Sequence, residues 1–109
     1  MTEKIKMTEM LSEQLRKVIL ELRQNQELGM SHLAEVLPKV VNIFQELFEM
    51  AEIYEDELEI PTDILLQQLQ NFEQSYQQHD IVLLADALEY EIGESISFYL
   101  EILKNMEQK

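Results

Sequence analysis

The chain has 109 residues and a formal net charge of −14, a balance that repels DNA, RNA and anionic lipid. It has no cysteine, which excludes disulfides, thiol catalysis and thiolate metal sites. Its 46% hydrophobic content separates it from a disordered acidic chain, and only two Gly and two Pro leave too few turn residues for a strand-rich fold.

The first helix reads from about Thr8 to Asn25, with Leu11, Leu15, Val18 and Leu22 at 4-3-4 spacing, and Ile5 and Met7 allow an extension. Gly29 reads as its left-handed terminator, and Ser31 as the N-cap of the next helix. The second helix carries Leu33, Leu37, Val40, Phe44, Leu47, Ala51, Tyr54 and Leu58, alternating four and three residues apart. Pro38 inside this stripe removes one backbone hydrogen bond and predicts a kink, because Leu33 and Leu37 keep the later register. Glu55, Asp56, Glu57 and Glu59 crowd the end of this helix, where the dipole disfavours anions, so early fraying is expected there.

Ile60-Pro61-Thr62-Asp63 breaks the pattern, with Thr62 as a capping residue. A short third helix follows, with the stripe Leu65, Leu69, Phe72 and Tyr76. Asp80 is the expected N-cap of a fourth helix running to about Lys104. Its inward residues are Ile81, Leu84, Ala85, Leu88, Ile92, Ile96, Tyr99 and Leu103. Four helices on short loops predict an all-α, antiparallel up-down-up-down four-helix bundle forming one domain over residues 1–109.

Charge is distributed unevenly along these elements. Residues 40 to 103 hold fifteen Asp or Glu and no Lys or Arg. Carboxylates without cationic neighbours in sequence are expected to face water, a cation or a basic partner. The opening MTEKIKMTEML has no apolar run of signal-peptide length, and no later segment is free of charge for about 18 residues. The expectation is a cytoplasmic protein that neither enters membranes nor binds nucleic acid directly.

No catalytic motif is present and nothing calls for a cofactor, so a non-enzymatic protein is expected. Glu49-x-x-Glu52 and Asp86-x-x-Glu89 have the spacing of the carboxylate pairs in all-helical, metal-dependent nucleotide pyrophosphatases, the alternative reading. Solvation of an acidic helix face explains the same pairs without a metal. His32 and His79 sit beside expected caps and read as helix-end residues rather than ligands. A third reading is an acidic inhibitor that imitates nucleic acid.

The outer face of the fourth helix is the candidate partner surface. Leu83, Asp86, Tyr90, Gly93, Ser97 and Leu100 repeat at 3-4-3-4-3, with Tyr90 central and Gly93 and Ser97 small enough to admit another helix. Asp86, Glu94 and Glu101 rim it with negative charge. A second stripe, Ile43, Met50, Ile53 and Ile60, leaves the core face of the second helix. Such positions either bind a partner or a second copy, giving a homodimer, or are covered inside the monomer. The expected function is an adaptor or chaperone-like module for a helical or basic-amphipathic partner.

The segment Asp80-Ile81-Val82-Leu83-Leu84-Ala85-Asp86-Ala87-Leu88-Glu89-Tyr90-Glu91, preceded by Phe72-x-x-x-Tyr76, resembles a family of small all-helical proteins from low-GC Gram-positive bacteria. The resemblance covers roughly residues 62–103 and implies a helical bundle with no assigned activity. More distantly, the helix–short turn–helix layout with Asp at the turn resembles flagellar export chaperones, which hold an unfolded partner tail on a helical bundle. That likeness is architectural and transfers no binding residue.

Overall fold

Helix α1 (Thr2–Gln24) starts six residues before the expected Thr8 in a computed structural model describing residues 2–108. Contacts outside its own apolar stripe hold these first turns. The Thr2 hydroxyl donates to Glu107 at 2.6 Å, Lys4 pairs with Glu46 at 3.2 Å, and the Thr8 hydroxyl donates to the Lys4 carbonyl at 2.7 Å.

The boundary between the first two helices differs from the sequence expectation. Asn25 alone separates α1 from α2 (Gln26–Ile53), in extended conformation, and its side chain accepts from the Leu28 N–H at 3.3 Å. Gly29 and Ser31 are therefore interior residues of α2 rather than a terminator and a cap. Gly29 is buried, and its role is close approach. A Cβ there would lie 2.6 Å from the Leu22 backbone nitrogen and 2.8 Å from its Cα. Only glycine lets the two backbones come this near.

Helix α2 runs unbroken through Pro38, so the proline does not start its regular part. Ala34 and Pro38 are both exposed, which places the missing hydrogen bond on the water-facing side. The helix stops at Ile53, and Tyr54 caps it by donating its N–H to the Met50 carbonyl at 2.8 Å. Glu55, Asp56 and Glu57 thus fall in turns beyond the helix end, as like charge near a negative dipole requires. Tyr54 and Leu58, expected within the helix, lie past it and are partly buried.

Helix α3 (Thr62–Gln77) follows Pro61, and Thr62 is its first residue rather than a side-chain cap. Asp80 caps the next rod as expected, accepting from the Leu83 N–H at 3.1 Å. This rod has three parts: α4 (Ile81–Ala87), a π turn (Leu88–Ile92) and α5 (Gly93–Gln108). The π turn has a sequence cause. Leu84, Leu88, Ile92 and Ile96 are all buried at successive four-residue steps. Each step overshoots a 3.6-residue turn by about 40°, or about 120° over three steps. The wider turn takes up that drift and keeps the row on the core.

The described residues are all-helical, in four rods and without strand. Helix α1 packs along α2 and against the α4–α5 rod, while α3 packs mainly on that rod and less on α2. The buried side chains form one cluster, centred on Phe44, Leu47, Leu33, Leu84, Leu88 and Ile92. The molecule measures 43 × 27 × 18 Å, its long axis matching the length of about 42 Å that 28 residues give α2.

Two polar clasps tie α1, α2 and α5. The buried Tyr99 hydroxyl donates to Glu46, and burial first, then that carboxylate, pushes its pKa well above the ordinary phenol value. His32 Nδ1 on α2 meets the Glu21 carboxylate on α1 at 2.7 Å, with Lys17 and Glu35 nearby. The hydrogen bond to Glu21 raises the His32 pKa above 6.5. A raised folded-state pKa stabilises fully below the unfolded value and is lost as pH rises through the folded one. His32→Gln is therefore expected to lower the melting temperature more at about pH 6 than at about pH 8.5. A deficit that is constant or grows with pH would exclude the charged clasp.

Candidate functional site

Among the described residues, the hydrogen bonds that tie helix α3 to another rod all run to the α4–α5 rod. Asn71 donates to Glu91 at 3.1 Å, the Ser95 hydroxyl donates to Gln68, and the Asp80 N–H donates to the Ser75 carbonyl at 3.1 Å. These bonds hold α3 to the α4–α5 rod. Towards α2 it leaves an open apolar groove of about 460 Å³. Leu37, Val40, Val41, Phe44 and Phe48 form one wall, Leu69, Phe72 and Tyr76 the other, and Ile92 of the π turn also lines it. Phe72 and Tyr76 stack with ring centroids 5.9 Å apart, which stiffens the α3 wall. Gln45 and Glu73 are the polar lining residues.

The volume lies within the range of ligand-sized clefts, and the shape is that of a slot between two helices. Val41 is 40% exposed, and Leu37, Phe48, Leu69 and Tyr76 are partly so. Leu37, Leu69 and Tyr76, expected in the core, pack against it but are only partly buried. Their half-exposure follows from α3 leaning on the fourth rod rather than closing against α2.

The structure divides the face expected on the fourth helix. Leu83, Asp86 and Tyr90 line a shallow groove towards α3, whereas Gly93, Glu94 and Ser97 line another towards α1. The π turn, which contains Tyr90 and ends just before Gly93, breaks the 3-4-3-4-3 row. Leu83 and Tyr90 are exposed, at 54% and 62%. Asp86 is not a free rim charge, because Arg23 of α1 lies 3.0 Å from it and 3.5 Å from Glu89. Gly93 serves the rod itself: a Cβ there would stand 3.0 Å from the Leu88 carbonyl oxygen, the oxygen its own N–H reaches. Of the second stripe, Ile43 is core and Ile53 is 71% exposed.

Within the expectation that these carboxylates face water, a cation or a basic partner, cations distant in sequence reach the acidic segment. Lys4 reaches Glu46 and Arg23 reaches Asp86 and Glu89. Among the described residues, however, no carboxylate from Glu49 to Glu73 forms an ion pair. Nor do any three His, Asp or Glu side chains among them converge as metal ligands. No helix of the described residues is long and apolar enough to cross a membrane.

A family model described as a domain of unknown function (DUF8042) matches residues 1–97, and the chain belongs to that family. The match takes in the first sixty residues as well as the segment around Asp80–Glu91. No curated protein and no solved structure matches the chain.

Proposed function

We propose that this DUF8042 chain is a protein-binding module, adaptor or chaperone-like, that seats a partner's amphipathic helix between α2 and α3. The observation that carries the reading is an apolar slot whose one charged lining residue, Glu73, has no ion-pair partner among the described residues. A helix fits because apolar residues at i, i+3/i+4 and i+7 fill a slot with both walls helical. Lys or Arg beside those anchors complements Glu73 and the acidic residues that follow α2. Short connections support alternating rod directions, an up-down-up-down bundle, with α2 and α3 as antiparallel walls. Lack of cysteine suits a reducing cytoplasm.

A second reading keeps the Leu83–Tyr90 face as the contact surface, for a partner or a second copy, because both side chains stand exposed. The two surfaces separate experimentally. The probe is a fluorescent Leu/Lys peptide of amphipathic helical pattern, compared with its scrambled sequence. Amphipathic order should strengthen binding by about tenfold or more, equivalent to about 1.4 kcal/mol. Val41→Lys should remove that advantage while melting near wild type, and Tyr90→Ala should leave it intact. Loss with Tyr90→Ala alone favours the second reading. Equal binding of ordered and scrambled peptides that fades at high salt indicates charge only, the behaviour of a nucleic-acid imitator.

A further inference from the structure

We propose that the groove is directional: the docked helix lies with its basic residues N-terminal to its apolar anchors, over the α2–α3 connection. This rests on the groove reading above. Val41, Gln45 and Phe48 form the outer row of the α2 wall, and Glu52 continues that row one turn further at the same 4-3-4 spacing. Beyond it the connection carries Glu55, Asp56, Glu57 and Glu59, all exposed and without ion pairs among the described residues. The opposite end is different in kind. There α3 finishes in Gln77 with Gln78 as its cap, α2 offers Pro38, and Glu73 is the one carboxylate lining the slot, while Lys39 lies in a separate groove towards α1.

The helix dipoles of the walls do not set this polarity. The C-terminus of α2 and the N-terminus of α3 share the acidic end and oppose each other, leaving the full carboxylate charges to decide. From Phe48 to the first turn residue is about 9 Å along the helix, comparable with the screening length at physiological salt. A bound helix must therefore overrun the apolar slot by nearly two turns for its Lys or Arg side chains to meet these carboxylates. With the basic turn N-terminal, the cations and the positive end of the partner's dipole face the acids together. With it C-terminal, the dipole opposes the cations.

The test uses two end-capped fluorescent peptides of identical composition, with three Lys placed before or after one apolar i, i+3, i+7 segment. Anisotropy titration into the full chain should show the N-terminal-Lys peptide binding at least about fivefold tighter at low salt. The preference should vanish at high salt. It should also vanish in the combined variant Glu52→Gln, Glu55→Gln, Asp56→Asn, Glu57→Gln and Glu59→Gln, with folding checked by thermal melting. Equal or reversed affinities overturn the direction while leaving the groove reading in place. Absence of saturable binding by both peptides overturns the groove reading and the direction with it.

Discussion

Replacing Leu47 with Ala is expected to remove about 2–5 kcal/mol of unfolding free energy, read by chemical denaturation of the wild type and variant. Leu47 is fully buried in the C-terminal third of α2, where Phe44 and Leu33 belong to the same core row. Truncation loses both the transfer energy of the side chain and the contacts around the space it leaves. A single domain is stable by only about 5–15 kcal/mol, so a substantial share would go. Phe44→Ala should cost a similar amount, but Phe44 also lines the open groove and its neighbours have more room to relax. Leu47 is the cleaner probe. A loss below about 1 kcal/mol for Leu47→Ala would place this row outside the core.

Gly29→Ala is expected to destabilise the protein by about 2 kcal/mol despite adding a better helix former. The substitution gains up to about 1 kcal/mol of helix propensity. Against it stands a clash with the Leu22 backbone, which cannot rotate away as a side chain could. Separating α1 from α2 would loosen their packing, in the manner of overpacked cores that lose about 1–3 kcal/mol or more. The measurement is again denaturation, with helicity followed by circular dichroism. A variant more stable than wild type would show that the two backbones do not cross closely at Gly29.

These two positions show what the sequence makes legible. Leu47 belongs to an uninterrupted 4-3-4 row, a pattern that only helix geometry explains, and the structure buries its central members. Gly29 carries two meanings that one sequence cannot separate, terminator or close-packing point. Asn25 already met the chemical requirement for a cap, which was the available clue. The π turn was also encoded, in three consecutive four-residue steps from Leu84 to Ile96. Read as ordinary α-helix, the rod gave Leu83, Tyr90, Gly93 and Ser97 one outward face, and the turn divides that face between two grooves.

The α2–α3 groove was not legible, because its residues carry an ordinary core pattern. Leu69, Phe72 and Tyr76 would close a slot against α2 if α3 leaned that way. Hydrogen bonds from Asn71 to Glu91 and from Ser95 to Gln68 draw α3 to the other rod, a preference no periodicity records. The unbalanced charge was visible at once, yet its meaning changed: Arg23 and Lys4 satisfy Asp86, Glu89 and Glu46, and of the acids without an ion pair among the described residues Glu73 lines the groove.

Chemical-shift mapping of the labelled 109-residue chain during titration with the amphipathic Leu/Lys peptide tests the groove most directly. Saturable shifts at Val41, Phe48, Leu69 and Tyr76, with intermolecular contacts from the peptide's Leu side chains, are the result the account predicts. Shifts confined to Leu83, Tyr90 and Ser97, or spread evenly over the acidic residues without such contacts, would contradict it.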